Sequence, residues 1–195
     1  MEEKEDSVWN KIVRYGFDIA DILVSTFAIV AFICTFLIMK FDVSGSSMQN
    51  TLQDKDKLLV WHFLYEPQRG DIVTIKNPGY LNKNIIKRVI AKGGDRLKID
   101  ISAGKVWVND VLLDETYIKD QGKTFGYYLD GSNWDYPEVV PKDMYFCMGD
   151  NRLGSSDSRS NYIGLIRKED IMGGVILRYG PLSSFKIFKF LWWAF

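Results

Sequence analysis

KLLVWHFLYEPQRGDIVTIKNPGYLNKNIIKRVIAKGGDRLKIDI, residues 57–101, is a succession of short apolar runs divided by turn formers. KLLVWHFLY (57–65), DIVTIK (71–76), NIIKRVIAK (84–92) and RLKIDI (96–101) are rich in β-branched and aromatic residues and bounded by Pro, Gly, Asn or Asp. That is the texture of strands, not of helices. It continues downstream in KVWVND (105–110), MYFCMGD (144–150) and GGVILRYG (173–180), with little helical periodicity anywhere among them. The prediction is a mainly β domain. Between Tyr117 and Pro141 the chain is rich in Gly, Asp and aromatics and reads as an irregular excursion.

Upstream the texture differs. Residues 1–17 are polar and mixed in charge, and IADILVSTFAIVAFICTFLIM runs from Ile19 to Met39. At 1.5 Å per residue its roughly 21 residues span about 30 Å, the thickness of a hydrocarbon core. An uncleaved membrane anchor over 18–40 is the preferred reading. A cleaved leader, for which Ser44–Gly45–Ser46 offers a small-x-small pattern, and a buried soluble helix are the alternatives. Lys4, Lys11 and Arg14 before the span are matched by Lys40, Lys55 and Lys57 after it, so charge bias leaves the orientation open. The ending GPLSSFKIFKFLWWAF (180–195) is too short to span; it suits either the bilayer interface or packing on the domain.

Composition removes several classes of function. Lys plus Arg and Asp plus Glu both number 25, so no net field draws nucleic acid. The single histidine, His62, cannot supply a zinc site of the usual kind and leaves almost no room for a Ser-His-Asp triad. Cys34 and Cys147 lie in unlike contexts and outside any CxxC pair, which speaks against a disulfide between them.

Chemistry is concentrated in three segments. VSGSSMQNTL (43–52) puts adjacent serines after a glycine, in a tight turn. A serine needs a base before it attacks a carbonyl, and without histidine the base can be a lysine whose pKa has fallen. An ordinary lysine near 10.4 costs about 4–5 kcal/mol to hold neutral at pH 7, which desolvation can supply. Lys87, inside the apolar strand NIIKRVIA, fits best; strand alternation sends Arg88 to the opposite face, so one of the two can be buried while the other reaches solvent. MGDNRLGSSDSRSNYIG (148–164) is either an ordinary polar loop or, through Asp150, Arg152, Asp157 and Arg159, a rigid ion-pair lattice offering a hydroxyl to the lysine.

These segments resemble bacterial type I signal peptidases. The family's Ser-Met-x-Pro-Thr-Leu is matched by Ser47-Met48-Gln49-Asn50-Thr51-Leu52, with Asn50 in place of the common proline, a change that loosens the turn without removing a catalytic group. Arg69 to Val73, Ile86-Lys87-Arg88-Val89-Ile90, Gly94-Asp95, the hairpin GKVWVNDVLLDETY, Gly149-Asp150-Asn151-Arg152, and Ser155, Asp157, Ser158 and Arg159 follow in the family's order. The match covers about residues 18–182.

The resemblance implies a catalytic domain of antiparallel sheets forming a partly open barrel over about 41–182. It carries an inserted β-rich hairpin and cap over about 98–142, follows a single transmembrane helix and a cytoplasmic segment (1–17), and precedes the aromatic tail 183–195. By position it makes Ser47 the nucleophile, Lys87 the general base and Ser155 the hydroxyl that orients Lys87. Asp157 and Arg159 become a structural ion pair supported by Asp150. The oxyanion falls to the backbone N–H of Ser47 and to the region of Gly45, where some members carry a serine this chain lacks. Val43, Met48, Leu52 and Ile86 become the walls of pockets for small residues. The implied reaction, without metal or organic cofactor, removes signal peptides from secretory preproteins at Ala-x-Ala-like sites. It places the enzyme in the cell membrane of a Gram-positive-like bacterium, with the domain on the extracytoplasmic side. A self-cleaving Ser/Lys protease and a catalytically silent membrane-tethered binding module are the competing readings. Nothing in the sequence fixes an oligomeric state.

Overall fold

The computed structural model describes residues 8–78, 81–119, 123–124 and 136–188. The chain divides into a helical unit, Met1–Ile38, and a second unit, Met39–Phe195, each described by itself.

The helical unit is α1, Val8–Phe36. Within it Trp9–Ile33 is long and apolar enough to cross a membrane. The helix begins earlier than the predicted span of 18–40, because Trp9, Ile12, Val13 and Phe17 continue the helical spacing of apolar residues upstream. It also stops earlier. Ile38 to Lys40, assigned to the span from the apolar run, belong instead to the first strand, β1 (Ile38–Asp42). An unbroken run of apolar residues conceals such a change of backbone geometry.

The second unit is built on strands. β2 (Lys57–Trp61), β3 (Ile72–Ile75), β4 (Ile85–Lys92), β8 (Met144–Met148), β9 (Ile166–Arg167) and β10 (Ile171–Gly180) join β1 in one sheet of order β1-β2-β10-β3-β4-β8-β9. β11 (Lys186–Ile187) pairs with β10 as well, so the start of the aromatic tail packs on the domain. The rest of that tail, from residue 189, lies outside the described residues, as do 1–7 and much of the predicted cap, 120–122 and 125–135. A smaller sheet holds β5 (Leu97–Asp100), β6 (Lys105–Val108) and β7 (Val111–Leu112), inside the predicted insertion. Its β6–β7 hairpin turns on Asn109 and Asp110 with φ of 53° and 64°. Positive φ at both central residues is the turn whose twist matches paired strands, and Asn and Asp tolerate it.

The mainly β architecture follows the sequence reading closely, with one shortened strand. KLLVWHFLY predicts a strand to Tyr65, yet β2 ends at Trp61, and Leu64 takes a left-handed φ of 49° that no strand accommodates. β10 curls the sheet by pairing with β2 through its second half and β3 through its first, across register shifts. Gly173 and Gly174 permit this, since a Cβ on Gly174 would meet the Tyr65 ring at 2.5 Å. Of the buried clusters, one gathers Val43, Met48, Leu52, Leu58, Val60, Ile72, Ile86 and Val175 beneath the serine turn. Another puts Ile85 and Val89 of β4 against Cys147 and Tyr145. Strand β4 is therefore covered on both faces, and that placement controls the chemistry of Lys87 and Arg88.

Candidate active site

The serine turn is held from both ends. Val43 N donates to Asp56 O at 2.9 Å and Lys55 N to Val43 O at 2.9 Å, closing a loop around residues 44–54. Inside it Gln49 N reaches Ser46 O, and Thr51 N and Leu52 N reach Met48 O, so the chain tightens into successive turns just after Ser47. Met48 and Leu52 are sunk in the core and act as its anchors. Ser47, between them and solvent, is half-buried.

Lys87 comes from the middle of β4, paired with Val73 of β3. It is 3% exposed. Its Nζ lies 2.8 Å from Ser47 Oγ and 3.0 Å from Ile86 O. Burial pushes the amine down from its ordinary 10.5 to about 8; the Asp157 carboxylate opposes the shift, and the Arg159 guanidinium reinforces it. The amine is thereby brought near neutrality while it faces the hydroxyl. With Ile86 O taking one N–H, the lone pair of the neutral amine is left to accept the proton of Ser47.

Under the pair lies the loop after β8. Arg159 donates to Asp157 through Nε (2.8 Å) and Nη2 (2.7 Å), and Gly149 N donates to the same carboxylate at 2.9 Å. Although burial opposes it, Arg159 and this N–H hold the Asp157 carboxyl below its ordinary range. Ser158 exchanges two 3.0 Å hydrogen bonds with Cys147 of β8, which fixes the loop to the sheet. Cys147 itself is buried and its thiol is pushed up by that burial, far from a reactive thiolate.

Several expected roles change. Asp150, fully buried, pairs with Arg88 and not with a residue of its own loop: Nε and Nη2 of Arg88 reach its two oxygens at 2.9 and 2.6 Å, and Thr51 Oγ1 donates to it at 2.5 Å. Arg88 therefore does not run to solvent. With both faces of β4 covered, its guanidinium folds onto Asp150, Gly70 O and the ring of Tyr117. Arg152 likewise leaves the expected lattice for Glu115, 2.5 Å away. Ser155 is buried close to Gly149, but its hydroxyl has no hydrogen-bond partner among the described residues, so the expected bond to Lys87 is not made. Gly45 cannot supply a backbone donor to an oxyanion, because its N–H is already given to Asp54 Oδ1 at 2.8 Å. The N–H of Ser47 makes no hydrogen bond among the described residues and is available.

A cleft of about 240 Å³ opens beside Ser47 and Lys87. Val43, Met48 and Ile86 line it, joined by Ile85, Leu81 and Asn84. Leu52 does not; it is fully buried beneath the turn, a core residue rather than a wall. Sequence reasoning also missed Asn151, whose N donates to Ser47 O (3.0 Å) and whose Nδ2 donates to Ser46 O (3.1 Å). Gly149 permits this approach: a Cβ there would stand 2.5 Å from Ser47 O. Among the signals available, the apolar residues at both parities of NIIKRVIA could have placed Arg88 indoors.

Comparison of the sequence with known proteins shows the family. Residues 17–180 match the family model described as signal peptidase, peptidase S26. A signal peptidase I P of Bacillus subtilis subsp. natto is 36% identical over 162 residues, covering 81% of this chain and 85% of the relative. A signal peptidase IB of Staphylococcus aureus (strain Mu50 / ATCC 700699) is 35% identical over 176 residues, covering 80% and 88%. The crystal structure of a signal peptidase I from Enterococcus faecalis V583 superposes with a TM-score of 0.45 at 29% identity, over 56% of this chain and 96% of that one.

Proposed function

The chain belongs to the signal peptidase family, peptidase S26, and from that premise we propose that it removes signal peptides from secretory preproteins with Ser47 as nucleophile and Lys87 as general base. The observation that carries this reading is the 2.8 Å approach of a buried lysine amine to a serine hydroxyl, with the amine pKa lowered to about 8.

In the proposed reaction neutral Lys87 takes the proton of Ser47 as Oγ attacks the scissile carbonyl carbon. The oxyanion is received by the N–H of Ser47. The Lys87 ammonium then returns its proton to the leaving amine, which departs as the new N-terminus of the mature protein, and the signal peptide remains as an ester on Ser47. Lys87, neutral again, activates a water that hydrolyses the ester. The Asp157–Arg159 pair and the Arg88–Asp150–Thr51 group react with nothing; they hold the two strands and the loop in register around the dyad.

The substrate lies extended beside the segments carrying Val43 and Ile86, where backbone pairing supplies affinity. The shallow cleft walled by Val43, Met48 and Ile86 favours small side chains at the first and third positions before the cut, the Ala-x-Ala-like pattern. Helix α1 serves as a single-pass anchor in the cell membrane, with the β domain on the extracytoplasmic side, where exported preproteins emerge. The test is incubation of the purified full chain, in detergent, with a signal-peptide-bearing preprotein. The expected result is one product whose new N-terminus follows an Ala-x-Ala-like site, absent with Ser47→Ala. An unaltered rate in Ser47→Ala would refute the assignment.

A further inference from the structure

Asn50 takes a left-handed backbone, φ 76°. Proline, common at this place in the resembling motif, is locked near −65° and cannot adopt it, whereas asparagine visits the left-handed region readily. The turn is therefore wound differently here. It is not looser, as the loss of proline suggests, because the Asn50 side chain makes a bond of its own: Nδ2 donates to Ile118 O at 3.1 Å, across 68 residues of chain.

Ile118 belongs to a short strap, residues 115–119, that touches the serine turn, strand β4 and the loop after β8. Lys119 N donates to Asp150 O at 3.0 Å, and its Nζ reaches Gln49 Oε1 at 3.0 Å. The Tyr117 ring lies 4.1 Å from the Arg88 guanidinium, and Glu115 pairs with buried Arg152. The strap is itself fixed, with Glu115 and Ile118 both buried. A hydrogen bond from a mobile partner would fix nothing; one from a strap tied to Asp150, Arg88 and Arg152 transmits their rigidity to the turn.

We propose that Asn50 is a positioning residue: its bond to Ile118 O fastens the serine turn to the strap and holds Ser47 in line with Lys87. This rests on the reading of Ser47 as nucleophile. Asn50 touches neither Ser47 Oγ nor the cleft, so it acts through the turn and not on the substrate.

Two variants test it in the full chain in detergent. Asn50→Gly keeps the left-handed backbone and removes the amide. Asn50→Asp keeps the shape and replaces the donor with an acceptor facing a carbonyl. A lost hydrogen bond of ordinary strength predicts that kcat for preprotein cleavage falls about 3- to 10-fold in both. KM should stay within about twofold, since the cleft walls are untouched, and the folded fraction read from the thermal unfolding curve at the assay temperature should be undiminished. Wild-type kcat in both variants would overturn the proposal. So would a loss of activity accounted for by a smaller folded fraction, which marks misfolding rather than misplacement. Ser47→Ala run alongside separates the two ideas: if it is inactive while the Asn50 variants are normal, the positioning role alone fails, and if it is active, the nucleophile assignment fails and the positioning role with it.

Discussion

Lys87 Nζ stands 2.8 Å from Ser47 Oγ, across 40 residues of chain, because the loop after β1 packs through Met48 against Ile86 of β4. The amine has no carboxylate in direct contact among the described residues; its hydrogen-bond partners are a hydroxyl and a carbonyl. Burial governs its titration in consequence.

The first concerns stability. With a folded-state pKa of about 8 against an ordinary 10.5, Lys87 is disfavoured by folding wherever it is charged in both states, which is below about pH 8. Between about pH 8 and 10.5 the folded chain has shed the proton that the unfolded chain still binds, so the penalty fades as pH rises. Lys87→Met should therefore stabilise the protein at pH 7 by up to about 3 kcal/mol while removing cleavage, and the gain should shrink towards pH 10. Thermal unfolding in detergent measures it; a gain independent of pH would contradict the account.

A second prediction separates arginine from lysine. Arg88 grips Asp150 with two nitrogens, and Asp150 in turn accepts from Thr51 in the serine turn. Arg88→Lys keeps the charge but cannot reproduce the bidentate grip. It should lower kcat several-fold without restoring the wild-type melting temperature. Activity and melting temperature equal to wild type would show that only charge matters at 88.

Removing the carboxylate under the site tests the third element. Asp157→Asn removes the anion paired with the buried Arg159 guanidinium, which should cost about 3–5 kcal/mol. The Asp157 carboxyl titrates below its ordinary range, so its contribution is present above the usual carboxylate pKa and is lost as pH falls through the lower folded value. Equilibrium unfolding should show the variant and wild type converging in acid; a constant gap would argue that the pair is not ionic.

Gly149→Ala probes steric fit. The added Cβ would stand 2.5 Å from Ser47 O, so either the serine turn or the loop must shift. A fall in kcat larger than the fall in melting temperature can explain is expected. Unchanged kinetics would mean that the close approach is irrelevant to Ser47.

Much of this was legible in the chain itself. The strands after residue 57 announced themselves through β-branched runs between turn formers, and Lys87 stood out as a lysine in an apolar strand. What eluded the sequence has physical causes. β1 is hidden because strand and membrane helix draw on the same apolar residues. The two-residue strands β9 and β11 are too short to carry a period. Arg88 was misplaced because alternation predicts one wet face only when the other side of the strand is bare, and β4 is covered on both. Leu52 lies in the serine motif but serves the core, a distinction between wall and foundation that only packing reveals. Long-range partners such as Glu115 for Arg152 and Ile118 for Asn50 leave no local pattern at all.

The central claim is that a sheltered amine, mostly protonated at neutral pH, must lose its proton before Ser47 can act. An ordinary lysine is neutral in about one molecule in 3,000 at pH 7, whereas one with a pKa of about 8 is neutral in about one in ten. The direct measurement is kcat/KM for preprotein cleavage from pH 6 to 10. The account predicts a tenfold rise per pH unit at the acid end and a plateau above a midpoint near 8. A rate flat across that range, or one still climbing tenfold per unit beyond pH 9, would contradict it.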